Sequence, residues 1–388
     1  MIEERLSAEL EALSLQGQKR ELRSIQKQYC GQSIVVDSHK LINLASNDYL
    51  GLGSNKELRT QFLKMVSYED WALGSTSSRL LTGNYPILKE LEHSLANRYD
   101  RESALVFNSG YHMNVGIISA LASHRTLVIA DKLVHASMID GLRLSGCSFE
   151  RFRHNDITAL ERILQRKADK YDEVLVLTES IYSMDGDEAD LRSLVALKKI
   201  YPQLVLYVDE AHAVGVRGNQ GLGLAEEYGL IQDIDLLCGT FGKALAGMGG
   251  YVVCSSNVRS YLINHSRPLI FSTALPPIVS AWNKFIFDRL SDFYSHRSIL
   301  REKSEKIRNT LKELGYTMPS TSHIIPIILG SNSHALSAAS RLIEAGYYSP
   351  AVRPPTVPQG SARLRISLTA QTEIEGLLHL LPTLNIAI

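Results

Sequence analysis

From about residue 55 to residue 255, short apolar runs rich in β-branched residues alternate with amphipathic stretches of helical length. The runs Ala104–Phe107, Thr126–Ala130, Ser148–Phe152, Glu173–Thr178, Leu204–Asp209, Leu236–Cys238 and Tyr251–Cys254 read as strands. The stretches Tyr85–Tyr99, Val115–Ser123, Ser137–Leu144, Ile157–Lys167 and Leu191–Ile200 read as helices. Strands that alternate with helices predict an α/β fold, with a mainly parallel sheet covered on both faces. Upstream, Leu6, Leu10, Leu13, Leu22 and Ile25 recur at helical spacing and predict a helical arm over residues 2–28, followed by a strand pair, Ile34–Val36 and Leu41–Leu44. After Pro276-Pro277 the spacing predicts one long helix to about residue 314. A strand (Ile324–Leu329), a helix (Ala335–Ala345), a proline-rich loop (353–358), a strand (Arg363–Leu368) and a last helix follow. Three parts are expected: an arm over 1–45, a large domain over 46–280 and a small α+β domain over 281–388.

Composition narrows the function classes. The 388 residues carry 41 Lys and Arg against 41 Asp and Glu, so no global field gathers polyanions, and no long basic run provides a local one. A nucleic-acid partner is therefore not expected. No apolar stretch reaches the roughly 18 residues of a membrane span, and the mixed-charge N-terminus does not have the layout of a secretory signal. The four cysteines (30, 147, 238 and 254) are widely spaced, which fits a reduced, cytoplasmic setting.

In an open α/β sheet, ligands collect beyond the carboxyl ends of the strands. Here those ends are polar: Asn108-Ser109-Gly110-Tyr111-His112, Asp131 to His135, Glu179 to Gly186, Asp209-Glu210-Ala211-His212, and Gly239-Thr240-Phe241-Gly242-Lys243. A helicase reading of Asp209-Glu210-Ala211-His212 fails, because it also needs a phosphate loop. Around Gly242-Lys243, the only Gly-Lys pair, that pattern would put Leu237 at its first glycine and Ala244 at its final hydroxyl. An electron-sink site fits better. Pyridoxal phosphate chemistry needs a lysine for a Schiff base and an acid for the pyridinium nitrogen, and Lys243 and Asp209 follow two successive strands. Gly110 and Tyr111 at a helix start offer amides to a phosphate. Ser183 and Thr240 can add hydroxyls, His135 can lie against a flat ring, and His212 can reach a ring hydroxyl. Singly, each residue has a plainer reading as a cap, a turn or a surface charge. Their joint arrangement at strand ends is what points to a site.

With these segments, the stretches Asn43–Leu52, Gly74–Gly83, His135-Ala136-Ser137, Phe152–Asp156, Ser183–Asp187 and Phe271-Ser272-Thr273 resemble the α-oxoamine synthases over nearly the whole chain. That resemblance implies the aspartate-aminotransferase-like architecture (fold type I), pyridoxal 5′-phosphate as cofactor and an acyl-transferring enzyme. It also implies roles by matching position. Lys243 would bond the cofactor, Asp209 would pair with the ring nitrogen, His212 would contact the ring hydroxyl and His135 would stack on the ring. Gly110, Tyr111, Ser183 and Thr240 would hold the cofactor, with Ser272 and Thr273 reaching the phosphate of a second subunit in a homodimer. Asn47, Arg353, Arg365 and Thr356 would meet substrate, and Arg23, with Arg20 close by, the acyl substrate. Residues Val352–Pro358 followed by Arg363-Leu364-Arg365 most resemble the biotin-pathway branch. That branch condenses L-alanine with a pimeloyl thioester of CoA or acyl carrier protein. A condensation of glycine with acetyl-CoA is the alternative. Thr76-Ser77-Ser78 departs from the glycine-rich sequence of many relatives.

Overall fold

The computed structural model describes residues 1–27 and 32–384; Cys30, the end of the expected 2–28 helix and the last four residues lie outside the described residues. The chain divides into two compact units. One comprises residues 57–183 and 188–297, and the other residues 1–56, 184–187 and 298–388.

The first unit is built on seven strands: β1 (Ser103–Phe107), β2 (Thr126–Asp131), β3 (Phe149–Phe152), β4 (Glu173–Glu179), β5 (Leu204–Asp209), β6 (Leu236–Thr240) and β7 (Gly250–Cys254). Their order across the sheet is β1-β7-β6-β5-β4-β2-β3. Only β7 runs antiparallel, to both β1 and β6, and the remaining pairs are parallel. Strands β1, β2, β6 and β7 are buried along their whole length. Such burial on both faces explains why they read as continuous apolar runs rather than alternating ones. The helices Gly110–Leu121 and Ala136–Ser145 pack on one face, and Met113, Ile117, Ile118, Met138 and Leu142 join Leu105, Val128, Leu175 and Tyr207 in one core cluster. Gly141 sets that spacing, since a Cβ there would sit 3.0 Å from Cβ of Ile118 and 3.2 Å from the carbonyl of Asn114. Buried Glu92 in this unit is fully engaged: it accepts from Arg79 at 2.6 Å, from Arg259 at 2.8 Å and from the Val106 amide at 2.9 Å.

The long helix expected after Pro277 is two. Pro277–Phe287 ends at Asp288, a turn follows over Leu290–Phe293, and Tyr294–Glu313 begins anew. The periodicity runs through the break because Leu290 and Phe293 of the turn are themselves buried.

In the second unit the expected 2–28 helix stops at Leu15. Gly17 lies in the left-handed region at φ 61°, which ends the helix, and Ile25–Lys27 instead pairs as a strand with Ser33–Val36. Leu22 and Ile25 keep helical spacing by coincidence; cross-strand pairing decides the conformation of Ile25. The hairpin Ser33–Val36 to His39–Asn43 turns through Asp37 and Ser38, both at positive φ, as a two-residue turn demands. Tyr347–Tyr348 adds a parallel strand to it. A second sheet, ordered Ile324–Gly330, Ala362–Ser367, Ala351–Val352, is antiparallel throughout. The segment 184–187 joins this unit through Arg363, whose guanidinium ion-pairs with Asp185 and donates to the Met184 carbonyl at 3.2 Å.

Candidate active site

The carboxyl ends of β5 and β6 present the two central groups. Asp209 ends β5 and is buried. Its Oδ2 accepts from Asn114 Nδ2 at 2.9 Å, and its Oδ1 accepts from the Ala211 amide at 2.9 Å. Three residues on, buried His212 turns its Nε2 to within 2.7 Å of Nζ of Lys243, which follows β6. Amine, imidazole and carboxylate thus come from two adjacent parallel strands, as their spacing in the sequence implied.

Asn114 organises the site and was not read from the sequence. It sits on the second turn of the Gly110–Leu121 helix, 2% exposed, and uses every polar atom. Its Nδ2 also donates to Ser137 Oγ at 2.9 Å, and its Oδ1 accepts from the Tyr207 hydroxyl. Ser137 Oγ lies 2.7 Å from His135 Nδ1, and the Ser137 amide donates to the same nitrogen. Since Nδ1 accepts from that amide, the ring proton of neutral His135 resides on Nε2. Desolvation by the surrounding groups lowers the affinity of this imidazole for a proton, against the pull of Asp209. One side chain thereby fixes both Asp209 and, through a hydroxyl, His135.

The helix Gly110–Leu121 starts directly after β1. Ser109 caps it by accepting from the His112 amide, so the amides left without helical carbonyls are those of Gly110 and Tyr111. Together with the helix dipole they form an anion site. The approach is tight, since a Cβ on Gly250, at the start of β7, would sit 2.9 Å from Cα and N of Gly110. Thr240, at the end of β6, donates its hydroxyl to the Gly249 carbonyl at 2.7 Å and accepts from the Gly242 amide at 3.2 Å. It shapes the lysine loop before it can serve any ligand. Ser183 is buried in the loop after β4.

Ser272 and Thr273 lie across from the 74–78 loop. Ser78 and Thr273 form an antiparallel bridge, Ala274 donates to the Ser77 carbonyl at 2.9 Å, and Ser75 Oγ donates to the Leu275 carbonyl at 2.6 Å. Thr76 takes a positive φ of 53°, which glycine adopts more readily, while Ser77 and Ser78 pair with Ala274 and Thr273.

In the second unit, Asn47 Oδ1 accepts from Tyr49 at 3.0 Å and from Arg365 at 3.4 Å, which brings two of the expected substrate residues together. Arg20 donates to Thr356 Oγ1 at 2.9 Å, and Arg353 donates to the Gly17 carbonyl. Arg23 stands exposed in the extended stretch that follows, so it is Arg20 that reaches the proline-rich loop.

A second buried acid also escaped the sequence reading. Glu179 ends β4 in direct register with Asp209, and its Oε1 has no hydrogen-bond partner among the described residues. Burial, reinforced by the charge of Asp209, pushes its carboxyl up to about 8.

As a set, a primary amine, a carboxylate with two donors, an imidazole and a helix-start anion site can hold a flat, phosphorylated carbonyl compound with a basic ring nitrogen. Residues 39–384 match the profile of aminotransferase class I and II, and the chain belongs to that family. A Haemophilus influenzae protein provisionally named 8-amino-7-oxononanoate synthase is 52% identical over 95% of this chain and 96% of its own length. A Neisseria meningitidis protein of the same provisional name is 51% identical, over 93% and 95%. Among solved structures, Sphingomonas wittichii serine palmitoyltransferase superposes with a TM-score of 0.90 at 32% identity, over 98% of this chain and 96% of that one. The 8-amino-7-oxononanoate synthase of Francisella tularensis gives 0.75 at 27%, over 89% and 96%. A further serine palmitoyltransferase, at 0.90 and 30% over 98% and 96%, is described with a PLP internal aldimine. The resemblance to the α-oxoamine synthases, the fold type I architecture and the expectation of an acyl-transferring enzyme agree with these relatives. Among the described residues no helix is long and apolar enough to cross a membrane.

Proposed function

We propose that the chain uses pyridoxal 5′-phosphate to condense L-alanine with a pimeloyl thioester, releasing CO₂ and the free thiol and giving 8-amino-7-oxononanoate. The observation that carries this reading is the pairing of Lys243 Nζ with His212 Nε2 at 2.7 Å beside Asp209, whose carboxylate is fixed by Asn114. When bound, the cofactor supplies a carbonyl for imine formation and a ring that accepts an electron pair from the amino-acid Cα.

The residues present fit that group. Asp209 would accept a hydrogen bond from the ring nitrogen and keep it protonated. His212 would face the ring hydroxyl, and the imidazole of His135 would lie against the ring. The amides of Gly110 and Tyr111, with Ser183 and Thr240, would hold the phosphate; Gly250 leaves the space beside them. Lys243 would bond the carbonyl carbon and, once displaced by the substrate amine, take the proton from Cα and later return it. His212 orients that amine, since its Nε2 lone pair can accept from Nζ.

Arg365 with Asn47, and Arg353 with Arg20 and Thr356, would bind substrate carboxylates, because guanidinium forks match that geometry. Arg23 would meet the acyl substrate, with Arg20, bonded to Thr356, close by in sequence. A homodimer is part of the proposal. Its support is the run of exposed apolar residues Tyr68, Leu73 and Leu81, with Phe271 beside Ser272 and Thr273. Alanine and glycine assayed side by side with pimeloyl, acetyl and palmitoyl thioesters test the reading. Preference for alanine with the pimeloyl thioester is expected, and preference for glycine with acetyl-CoA would overturn it in favour of the other family reaction.

A further inference from the structure

Two buried carboxyl groups stand side by side at the carboxyl end of the large sheet. Glu179 and Asp209 are register partners on parallel neighbours β4 and β5, so their side chains leave the same face from backbones about 4.8 Å apart. Glu179 is 3% exposed and Asp209 5%. Two carboxylates so close in a desolvated setting do not both ionise at ordinary cost. The hydrogen bonds around them are unequal. Asp209 accepts from the Asn114 amide group and the Ala211 amide, and donors of this kind stabilise an anion. Among the described residues Glu179 keeps one oxygen without a partner, and the His135 backbone amide is the donor to its carboxyl. The other charges around Glu179 are the carboxylate of Asp131, which repels a second anion, and the ammonium of Lys243, which favours one.

We propose that Glu179 holds a proton at neutral pH and serves as a positioning residue, leaving Asp209 the single anion at the end of the site where the cofactor's ring nitrogen would lie. This rests on the cofactor reading above only for the purpose it gives Asp209; the proton on Glu179 follows from the apoprotein itself. A second anion on Glu179 would repel the Asp209 carboxylate and compete with it for its donors. A neutral carboxyl fills the same space without doing either.

The test is the pH dependence of stability in the wild type and in Glu179→Gln, a neutral mimic of the protonated side chain, on cofactor-loaded and cofactor-free protein. Burial raises the Glu179 carboxyl from 4.5 to about 8, so between these values the folded chain holds a proton that the unfolded chain has released. Wild-type stability therefore falls as pH rises through that window, and the glutamine variant lacks this fall. The Tm of E179Q relative to wild type should rise between pH 5.5 and pH 8.5 by at least about 2 °C in the cofactor-free protein. A constant difference across that range, or a wild type that gains on E179Q towards pH 8.5, overturns the proposal. If E179Q does not fold, Glu179→Met and the infrared band of a protonated carboxyl in isotope-labelled wild type decide. The band should be present at pH 7 and disappear above pH 9, and its absence at pH 7 counts against the proposal. The cofactor-free arm keeps the outcome separate from the cofactor reading, which a visible absorbance band tests.

Discussion

Asn114 Nδ2 donates to Asp209 Oδ2 at 2.9 Å, so the orientation of the central carboxylate is set from a neighbouring helix rather than from its own strand. Replacing Asn114 by Leu leaves the Tyr207 hydroxyl, Ser137 and Asp209 each short of a partner in the core. About 1–3 kcal/mol is lost for each buried group left unsatisfied. We expect kcat/KM to fall roughly 10- to 100-fold through a misplaced carboxylate, as when the residue orienting a site ligand is removed. Cofactor retention through dialysis should weaken in parallel. Steady-state kinetics and absorbance after dialysis measure both.

Lys243→Ala removes the amine that stands beside His212. Loss of both imine-forming and proton-moving capacity should lower turnover by at least about 10³-fold. The visible band of a lysine-bound cofactor should vanish while the fold, followed by circular dichroism, persists. Full turnover in this variant would refute the role given to the residue.

The buried triad Arg79–Glu92–Arg259 tests a structural claim away from the site. Glu92 is 4% exposed at its side chain and bonds both guanidinium groups and the Val106 amide at the edge of β1. Glu92→Ala strands two cations and an amide, and we expect a loss of about 3–5 kcal/mol in unfolding free energy by denaturant titration. Exposed Lys306–Glu302 serves as the control: disrupting that pair should change stability by less than about 1 kcal/mol.

Thiol reactivity follows from burial. Cys238 and Cys254 are buried, and desolvation pushes both thiols up, Cys254 to about 11. Thiolate is the reactive form, so at pH 8 a thiol reagent should modify Cys147 in the native protein and leave these two protected until denaturation. A Cys30→Ser background keeps residue 30 out of the reading. Rapid native modification of all three would contradict the packing described.

The large sheet was legible because strands buried on both faces spell themselves out as apolar runs, and because the polar residues after them have no core to enter. Lys243, Asp209 and His212 could be read from position alone. Asn114, Ser137 and Glu179 could not, since nothing local distinguishes an asparagine in an apolar helix or a glutamate at a strand end. Their meaning lies in which strand or helix stands beside them. Glu179 acquires its character from register with Asp209, 30 positions away, and a sequence does not display register. The arm misled for the opposite reason. Its apolar positions kept helical spacing past Gly17, but strand partners seven to eleven residues downstream outweighed that spacing.

Strand β7 runs against its neighbours, and this reversal has a spatial effect. The strands carrying the helix start and the lysine, β1 and β6, are set two strand spacings apart, or about 10 Å. A parallel strand between them would have ended there and filled the interval with its own outgoing loop. The reversed one arrives from the other side and enters the sheet through Gly249-Gly250, two residues without side chains. The irregularity in the sheet thus works as a spacer. It keeps an anion site and an amine at a fixed separation with glycines between them, so their spacing is a product of topology before any ligand-contacting residue is chosen.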